Sequence, residues 1–134
     1  MNKDRFKFRV WDKVNERYLP TCDIAIDCGF RVYLWDKEHD EWVWYSNDPL
    51  IEQCTGIRDK HGKLIYEGDI VSINHSSKSQ VKCIVEWGCG LTGYYCTGIK
   101  GYQYWNLASS DGPYIEIIGN IHEKEGADKW NSKI

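Results

Sequence analysis

No long apolar run occurs in the 134 residues of this chain. The first eight residues, MNKDRFKF, are interrupted by charges, which is not typical of a secretory signal peptide. No other stretch approaches the ~18 uncharged apolar residues that a membrane-spanning helix needs. The sequence therefore predicts a cytoplasmic protein with no membrane segment.

An excess of charge of one sign is also missing. The chain has 17 Lys and Arg against 20 Asp and Glu, which gives a net charge of −3 and a pI of about 5.8. This balance argues against a protein that binds nucleic acid mainly through bulk electrostatic attraction to the phosphates. Residues 1–17 carry six positive and three negative side chains, whereas residues 34–53 carry one positive and six negative. Two interpretations stay open: solvated turns of opposite sign, or complementary surfaces within one chain or between subunits.

Zinc-knuckle spacing is missing too, although the chain has six cysteines. In a secreted domain these would indicate disulfides, but in a reducing cytoplasm we expect free thiols, several of them buried. None of the spacings is the C-x2–4-C pattern that brings two thiolates to one zinc. Convergence of Cys89, Cys96 and His75 on a structural zinc is the alternative, and we predict no metal and no cofactor. The cysteines are Cys22, Cys28, Cys54, Cys83, Cys89 and Cys96.

Aromatic residues and period-2 alternation are abundant. The 7 Trp, 9 Tyr and 3 Phe, within 42% hydrophobic residues, offset the entropy cost of folding and exclude a disordered chain. Apolar and polar residues alternate in many short segments separated by turn residues, and no long amphipathic helix is evident. The pattern predicts a mainly β fold of the barrel or sandwich type, with little helix.

Three segments together point to a known family. They are FRVWD at residues 8–12, TGIRDKHGKLIYEGDIV at residues 55–71 and IIGNIHE at residues 117–123. In that order, the chain resembles the YopX family of small phage and prophage proteins. The central pattern TG-x-x-D-x-x-G-x-x-I-x-EGDIV is the most specific part, and residues 22–48 match least. The resemblance implies a protein made in a bacterial host cell from a phage genome, and it brings no established activity or catalytic residue.

Turn chemistry accounts for the central pattern. Asp59 and Gly62 predict a tight hairpin turn in which Gly62 takes a positive φ. Gly68 and Asp69 predict a second turn that leads into a strand. We expect Asp69 to cap this turn rather than to take part in chemistry.

The predicted organisation has two β subdomains. A Gly-Asp-Ile-Val strand start, a polar loop and a long strand ending in Glu-Trp are similar to the start of a small SH3-like barrel, which we place at residues 50–122. Residues 1–49 precede the barrel and are predicted to form a set of β-hairpins packed with it. Turn residues at 46–49 end this N-terminal subdomain. Residues 123–134 form a polar tail.

Catalytic signatures are weak. Residues 88–93 have the G-x-G-x-x-G spacing after a predicted strand, but residues 94–98 indicate another strand, whereas a dinucleotide site needs a helix there. The four histidines lie in turns or at strand ends, and no carboxylate lies in an apolar run that would raise its pKa. We therefore predict that the protein is not an enzyme. The histidines are His39, His61, His75 and His122.

A nucleic-acid-binding accessory protein on an SH3-like barrel is the alternative function. Three basic residues near the N-terminus would line one face of a strand, and a later segment places a lysine among aromatic rings on which single-stranded bases stack. The opposing interpretation is that these aromatic residues fill a core or an interface. The acidic pI and the lack of a dense basic stripe disfavour nucleic acid as the partner. The candidate residues are Arg5, Lys7, Arg9, Lys100, Tyr102 and Tyr104.

The densest aromatic cluster lies in residues 30–45, a predicted hairpin with large side chains on both faces. One face can cover the core, and the other is either covered by a second layer of this chain or exposed as an interaction patch. Because Trp and Tyr are favoured interface anchors, we predict a homo-oligomer that interacts with a host or phage protein. The predicted interface residues are Tyr33, Trp35, Trp42, Trp44 and Tyr45.

Overall fold

The chain is mainly β in the computed structural model, which describes residues 3–46, 49–74, 80–88, 93–98 and 104–123. Twelve strands and three short 3₁₀-helices make up the regular structure of these residues. The prediction of a mainly β fold with little helix is confirmed. None of the helices in this part of the chain has the length and hydropathy that crossing a membrane requires.

The chain divides into two compact units. The N-terminal unit is Phe8–Glu52, and the C-terminal unit is Met1–Lys7 with Gln53–Ile134. The predicted subdomains at residues 1–49 and 50–122, and the SH3-like detail of the second, stay predictions. The predicted polar tail lies, from residue 124 onwards, outside the described residues.

Five strands and the start of a sixth build the N-terminal unit, with a 3₁₀-helix at Thr21–Asp23. The strands are β1 (Phe8–Asp12), β2 (Arg17–Tyr18), β3 (Ile24–Ile26), β4 (Val32–Asp36), β5 (Glu41–Trp44) and β6 (Leu50–Arg58). β1 and β2 form an antiparallel hairpin, and β3, β4 and β5 form an antiparallel sheet in that order. Val10, Leu19 and Val32 are the buried core of this unit.

Asp12 shapes the turn between β1 and β2. Its carboxylate accepts the N–H of Val14 at 3.0 Å and the side-chain amide of Asn15 at 2.7 Å. Asp12 is only 2% exposed, and the hydrogen bond from the Asn15 side chain is the main cause that lowers its pKa. This carboxylate therefore stays ionised and holds a turn.

The C-terminal unit contains the rest of β6 and six further strands. They are β7 (Leu64–Tyr66), β8 (Asp69–Ile73), β9 (Val81–Trp87), β10 (Tyr94–Gly98), β11 (Tyr104–Asn106) and β12 (Ile115–Asn120). β6 and β7 form a hairpin, and the other five strands form an antiparallel sheet in the order β11-β10-β9-β8-β12. The core of this unit consists of Ile57, Ile65, Val71, Ile73, Cys83, Val85, Cys96 and Ile115.

The first predicted turn of the central pattern is confirmed. Gly62 has a φ of 81°, and Asp59 Oδ1 accepts the N–H groups of His61 and Lys63, each at 2.9 Å. Asp59 Oδ2 accepts in addition the N–H of Ile117 in β12, at 3.2 Å. One carboxylate therefore shapes the β6–β7 turn and ties it to a strand more than fifty residues away in the sequence.

The second predicted turn is confirmed as well. Gly68 has a φ of 82°, and Asp69, which is 2% exposed, accepts the N–H of Tyr66 at 2.8 Å through Oδ2. Its side chain therefore caps the turn that begins β8.

One strand begins later than predicted. The alternation at residues 5–10 predicted a continuous strand, but Lys3–Phe6 form a 3₁₀-helix, and β1 begins at Phe8. The Lys7 N–H donates to the C=O of Asp4 at 3.0 Å, and this local bond closes the turn that precedes β1. The alternation of apolar and polar residues does not reveal such a turn, because it indicates which side chains share a face of a strand and not which backbone groups form hydrogen bonds.

A third 3₁₀-helix precedes β12 and spans Ser109–Tyr114. Asp111 stabilises its start, because its Oδ2 accepts the N–H of Ala108 at 2.8 Å. Short 3₁₀-helices satisfy backbone groups within a few residues and leave no periodic pattern to detect.

Candidate interaction surface

The β4–β5 hairpin carries four aromatic side chains on one face. Tyr33 lies opposite Trp44, and Trp35 lies opposite Trp42. Because directly opposed residues of an antiparallel pair project to the same side of the sheet, these four share a face, which we call the aromatic face. The sequence predicted large residues on both sides, and the register decides which of them are neighbours.

A turn at residues 37–40 joins the two strands. Asp36 Oδ1 accepts the N–H of Glu38 at 2.9 Å, and its Oδ2 lies 2.7 Å from His39 Nδ1. The hydrogen bond to the His39 side chain is the main cause that lowers the pKa of Asp36. Asp40 completes the turn with a φ of 54°, a left-handed conformation that Asp tolerates better than most residues.

The opposite face of the same sheet packs on the core of the N-terminal unit. Val32 is completely buried there, and Ile24, Ile26 and Leu34 pack against it and its neighbours. Leu34 lies opposite Val43, which places Val43 on this face at the outer strand, 43% exposed. The sheet thus has one face for the core and one for its aromatic side chains.

Two tryptophans of the aromatic face are half exposed. Trp42 retains 49% and Trp44 50% of its accessible surface, whereas Tyr33 and Trp35 on the inner strand are half-buried. The Trp35 and Trp42 rings meet edge to face, with centroids 5.1 Å apart and planes at 66°. This geometry is a favourable aromatic contact, and it holds the Trp42 indole in place while half of it faces water.

Polar contacts at one end orient Tyr33. Its hydroxyl donates to Asp27 Oδ2 at 3.1 Å, and Arg31 Nε donates to the same oxygen at 2.7 Å. The backbone N–H of Arg31 is the first cause that lowers the pKa of Asp27. The Asp27 carboxylate therefore stays ionised and holds the Tyr33 hydroxyl at one end of the aromatic face.

Tyr45, the fifth predicted interface residue, lies outside the aromatic face. It packs against the core of the N-terminal unit, and its hydroxyl hydrogen-bonds with Asp12. Burial, followed by that bond to a carboxylate, raises the pKa of Tyr45. The predicted set thus separates into four residues of one face and one residue that packs on the core.

The basic residues named for nucleic-acid binding do not share one strand. Arg5 lies in a 3₁₀-helix with its guanidinium 4.5 Å from the Phe6 ring centroid, and Lys7 Nζ lies 2.8 Å from Asp4 Oδ1. The prediction that β-strand alternation carries Arg5, Lys7 and Arg9 together is wrong, since Arg9 alone belongs to β1.

Arg9 is engaged inside its own unit. Its Nε lies 2.9 Å from Glu52 Oε1, and its guanidinium stacks 4.4 Å from the centroid of the Tyr18 ring. Tyr18 donates its hydroxyl to the same Glu52 oxygen at 2.8 Å. Sequence reasoning missed this cluster; the opposite charges of residues 1–17 and 34–53 were the available signal.

Of the three later residues predicted to bind nucleic acid, only Tyr104 lies in the described part of the chain. Lys100 and Tyr102 lie outside the described residues. Tyr104 begins β11, which pairs antiparallel with β10.

The glycine spacing at residues 88–93 leads into a strand. β10 begins at Tyr94, directly after Gly93, so no helix N-terminus follows to meet a pyrophosphate. Residues 89–92 lie outside the described residues.

The described cysteines separate into two groups. Cys22 and Cys28 are exposed, and Cys54, Cys83 and Cys96 are buried free thiols. Cys89 and His75, two members of the alternative zinc site, lie outside the described residues. Within the described ranges, no group of three or more His, Cys, Asp and Glu side chains is placed to hold a metal ion.

Comparison with known proteins identifies the family. The family model described as YopX protein matches residues 7–126. The crystal structure of protein yopX from Bacillus subtilis has a TM-score of 0.63 at 20% identity, covering 90% of this chain and 96% of that one. Protein EF1440 from Enterococcus faecalis has a TM-score of 0.59 at 20% identity, with the same coverage. No curated protein matches the chain. At such identities the two structures show a shared fold, and the match of the family model over most of the sequence shows that the chain belongs to the YopX protein family.

Proposed function

We propose that this protein is a non-enzymatic, phage- or prophage-encoded interaction module of the bacterial cytoplasm. It acts as a homo-oligomer that engages a host or phage protein, and the aromatic face is its docking surface. The observation that carries this proposal is the pair Trp42 and Trp44, each half exposed beside the other two aromatic residues of one sheet face.

The energetics favour a covered aromatic face. A Trp side chain has roughly 200 Å² to bury, so covering the exposed half of one indole contributes about 2–3 kcal/mol. Trp42 and Trp44 together therefore favour association by several kcal/mol before the entropy cost of binding is subtracted. Because Trp35 holds Trp42 edge to face, little side-chain freedom remains to be lost when a partner binds.

The buried carboxylates support a non-enzymatic role. Asp12, Asp59 and Asp69 are each under 10% exposed, and each accepts backbone N–H groups of a turn. The pKa values of Asp12 and Asp59 are lowered, whereas a general acid working near neutral pH needs a raised one. These three carboxylates stabilise turns of the fold.

Light scattering on a size-exclusion column tests the proposal. We expect the mass of the wild-type protein to exceed the 15.7 kDa of one chain and to rise with concentration between about 1 and 100 µM. The double variant Trp42→Ser/Trp44→Ser should return the mass to that of one chain. Trp87→Ser is the matched control, because Trp87 is 57% exposed in the other unit and should leave the mass unchanged.

Two results would contradict the proposal. One is a wild-type protein that stays a monomer over the whole concentration range. The other is a multimer that the double variant leaves intact. Retention of single-stranded or double-stranded DNA at low salt, lost steeply as salt rises, would favour the alternative of a nucleic-acid-binding accessory protein.

A further inference from the structure

β5 is an edge strand with an unusual composition. In the sheet order β3-β4-β5, the described residues pair with β5 on its β4 side alone. Natural edge strands are protected by lysine, proline, a bulge or covering chain. The sequence of β5, Glu-Trp-Val-Trp, has neither lysine nor proline, and all four residues are exposed. Such an edge is a template for pairing with another strand.

One hydrogen bond sets the direction of every backbone group along β5. The N–H of Tyr45 donates to the C=O of Val32 at 2.9 Å, across the continued register of the β4–β5 pair. In an antiparallel ladder, hydrogen-bonded pairs alternate with non-hydrogen-bonded ones. Val43 therefore bonds inward to Leu34, and the backbone N–H and C=O groups of Trp42 and Trp44 point to the free edge.

We propose that β5 pairs antiparallel with β5 of a second copy of the chain, with Val43 opposite Val43 on the two-fold axis. This inference rests on the proposed function and names the partner and register of the homo-oligomer. In this register Trp42 lies opposite Trp44 of the second copy, and the reverse pair repeats by symmetry. Each pair exchanges two backbone hydrogen bonds, so the four outward groups of each chain are all satisfied.

The same register joins the two aromatic faces. Opposed residues lie on one side of the sheet, so Trp42 of one copy meets Trp44 of the other on the face that each copy already lines with aromatic residues. Two three-stranded sheets become one sheet of six strands with a continuous aromatic face. Moving the axis to Trp42 would set Trp44 opposite Asp40, so that a single Trp42–Trp42 pair would replace the two Trp42–Trp44 pairs.

Charge favours the antiparallel orientation. The end of the hairpin that carries the turn, residues 36–41, is acidic, with Asp36, Glu38, Asp40 and Glu41 against the single cation Lys37. An antiparallel pair of β5 strands places the two turns at opposite ends, whereas a parallel pair would set them side by side. Like charges at close range oppose that second arrangement.

The size of the contact indicates a moderate affinity. Each copy contributes the exposed halves of Trp42 and Trp44 and part of Val43, which is well below the ~800 Å² per partner of a standard stable interface. We therefore expect a dimer whose population depends on concentration in the micromolar range.

Opposite charges at position 43 test the register directly. Val43→Lys and Val43→Glu each place like charges opposite each other on the axis, so each variant alone should dimerise at least roughly tenfold more weakly. An equimolar mixture should recover a mass near 31 kDa, twice the 15.7 kDa of one chain. Val14→Lys and Val14→Glu are matched controls at a residue that is 88% exposed, and they should dimerise like the wild type, alone or mixed.

Hydrogen exchange of the wild-type protein gives a second measurement that needs no variant. The Trp42 and Trp44 amides should exchange fast in dilute protein and slowly in concentrated protein. The Tyr45 amide, which already donates to Val32, should be protected in both.

The outcomes separate this inference from the proposed function. If Trp42→Ser/Trp44→Ser abolishes the dimer but the charged variants at Val43 dimerise normally, or their mixture fails to recover the dimer, the β5 register is overturned and the docking role of the aromatic face stands. Concentration-independent exchange at Trp42 and Trp44 in a protein that dimerises would overturn the register in the same way. A protein that is monomeric throughout overturns both.

Discussion

Arg9 and Glu52 form a largely buried ion pair between the first and last strands of the N-terminal unit. The Arg9 Nε and Glu52 Oε1 atoms lie 2.9 Å apart, and the two side chains are only 15% and 9% exposed. Tyr18 joins them, because its hydroxyl donates to the same oxygen and its ring stacks on the guanidinium. The basic and acidic segments of the sequence therefore meet, at this position, within one chain.

Breaking this pair from one side should destabilise the protein. We expect Arg9→Met to lower the free energy of unfolding by about 2–4 kcal/mol, since it removes the guanidinium that lies 2.9 Å from the largely buried Glu52 carboxylate. The double variant Arg9→Met/Glu52→Leu should recover most of the loss, because the buried carboxylate is removed together with the guanidinium. Urea unfolding followed by tryptophan fluorescence measures both. Equal destabilisation by the single and double variants would contradict the argument.

Gly112 has no room for a side chain. A Cβ at this position would lie 2.3 Å from the carbonyl oxygen of Arg58, a backbone atom that cannot move without disturbing β6. We expect Gly112→Ala to lower the free energy of unfolding by about 1–3 kcal/mol through this clash. Gly29→Ala is the control, since the nearest atom there is 3.4 Å away, and thermal unfolding should show little change for it. Equal melting temperatures for the two variants would contradict the prediction.

Asp59 should make stability depend on acid pH. Burial raises its pKa, but the N–H groups of Ile117, Lys63 and His61 outweigh burial, so that the pKa in the folded chain is lowered. The ionised carboxylate therefore stabilises the fold above the unfolded value of ~3.9, and this contribution is lost as the pH falls through the lower, folded value.

The variant Asp59→Asn tests this pH dependence. It removes the titrating group, so the difference in unfolding free energy between wild type and variant should be largest near neutral pH and should shrink as the pH drops below about 4. At neutral pH we expect a loss of about 1–3 kcal/mol, because charge-assisted hydrogen bonds become neutral ones. Urea unfolding at a series of pH values measures the difference. A difference that does not change with pH would exclude the assigned role.

Thiol reactivity should follow burial. Cys22 and Cys28 are exposed, and burial raises the pKa of the Cys54 thiol. Because the thiolate is the reactive form, iodoacetamide at pH 8 should label Cys22 and Cys28 in the native protein and Cys54 only after unfolding. Mass spectrometry of the labelled peptides locates the sites. Native labelling of Cys54 as fast as that of Cys22 would contradict the described core.

Turn residues were the most reliable guide to the fold. Asp59 and Gly62, and then Gly68 and Asp69, predicted two turns that the structure contains, because such turns need a side-chain acceptor or a positive φ that few other residues supply. The same residues also identified the family. The conformation of a tight turn depends on a few neighbouring residues, so it can be predicted without knowledge of the tertiary structure.

The interaction surface was predicted only in outline. Alternation placed large residues on both faces of the hairpin at residues 30–45 but did not distinguish Tyr33 and Trp44, which share the aromatic face, from Tyr45, which packs on the core. It also could not show that Arg9 is occupied by Glu52. Both depend on contacts between segments that are distant along the chain.

The amino-acid sequence alone determined that this chain forms short strands and tight turns, since alternation and turn residues act over a few neighbouring positions. The tertiary structure decided which face of the β4–β5 hairpin meets the core and which is left to water. It also decided that the backbone groups of Trp42 and Trp44 point away from β4, because strand register and sheet order are set by pairings that no single segment contains.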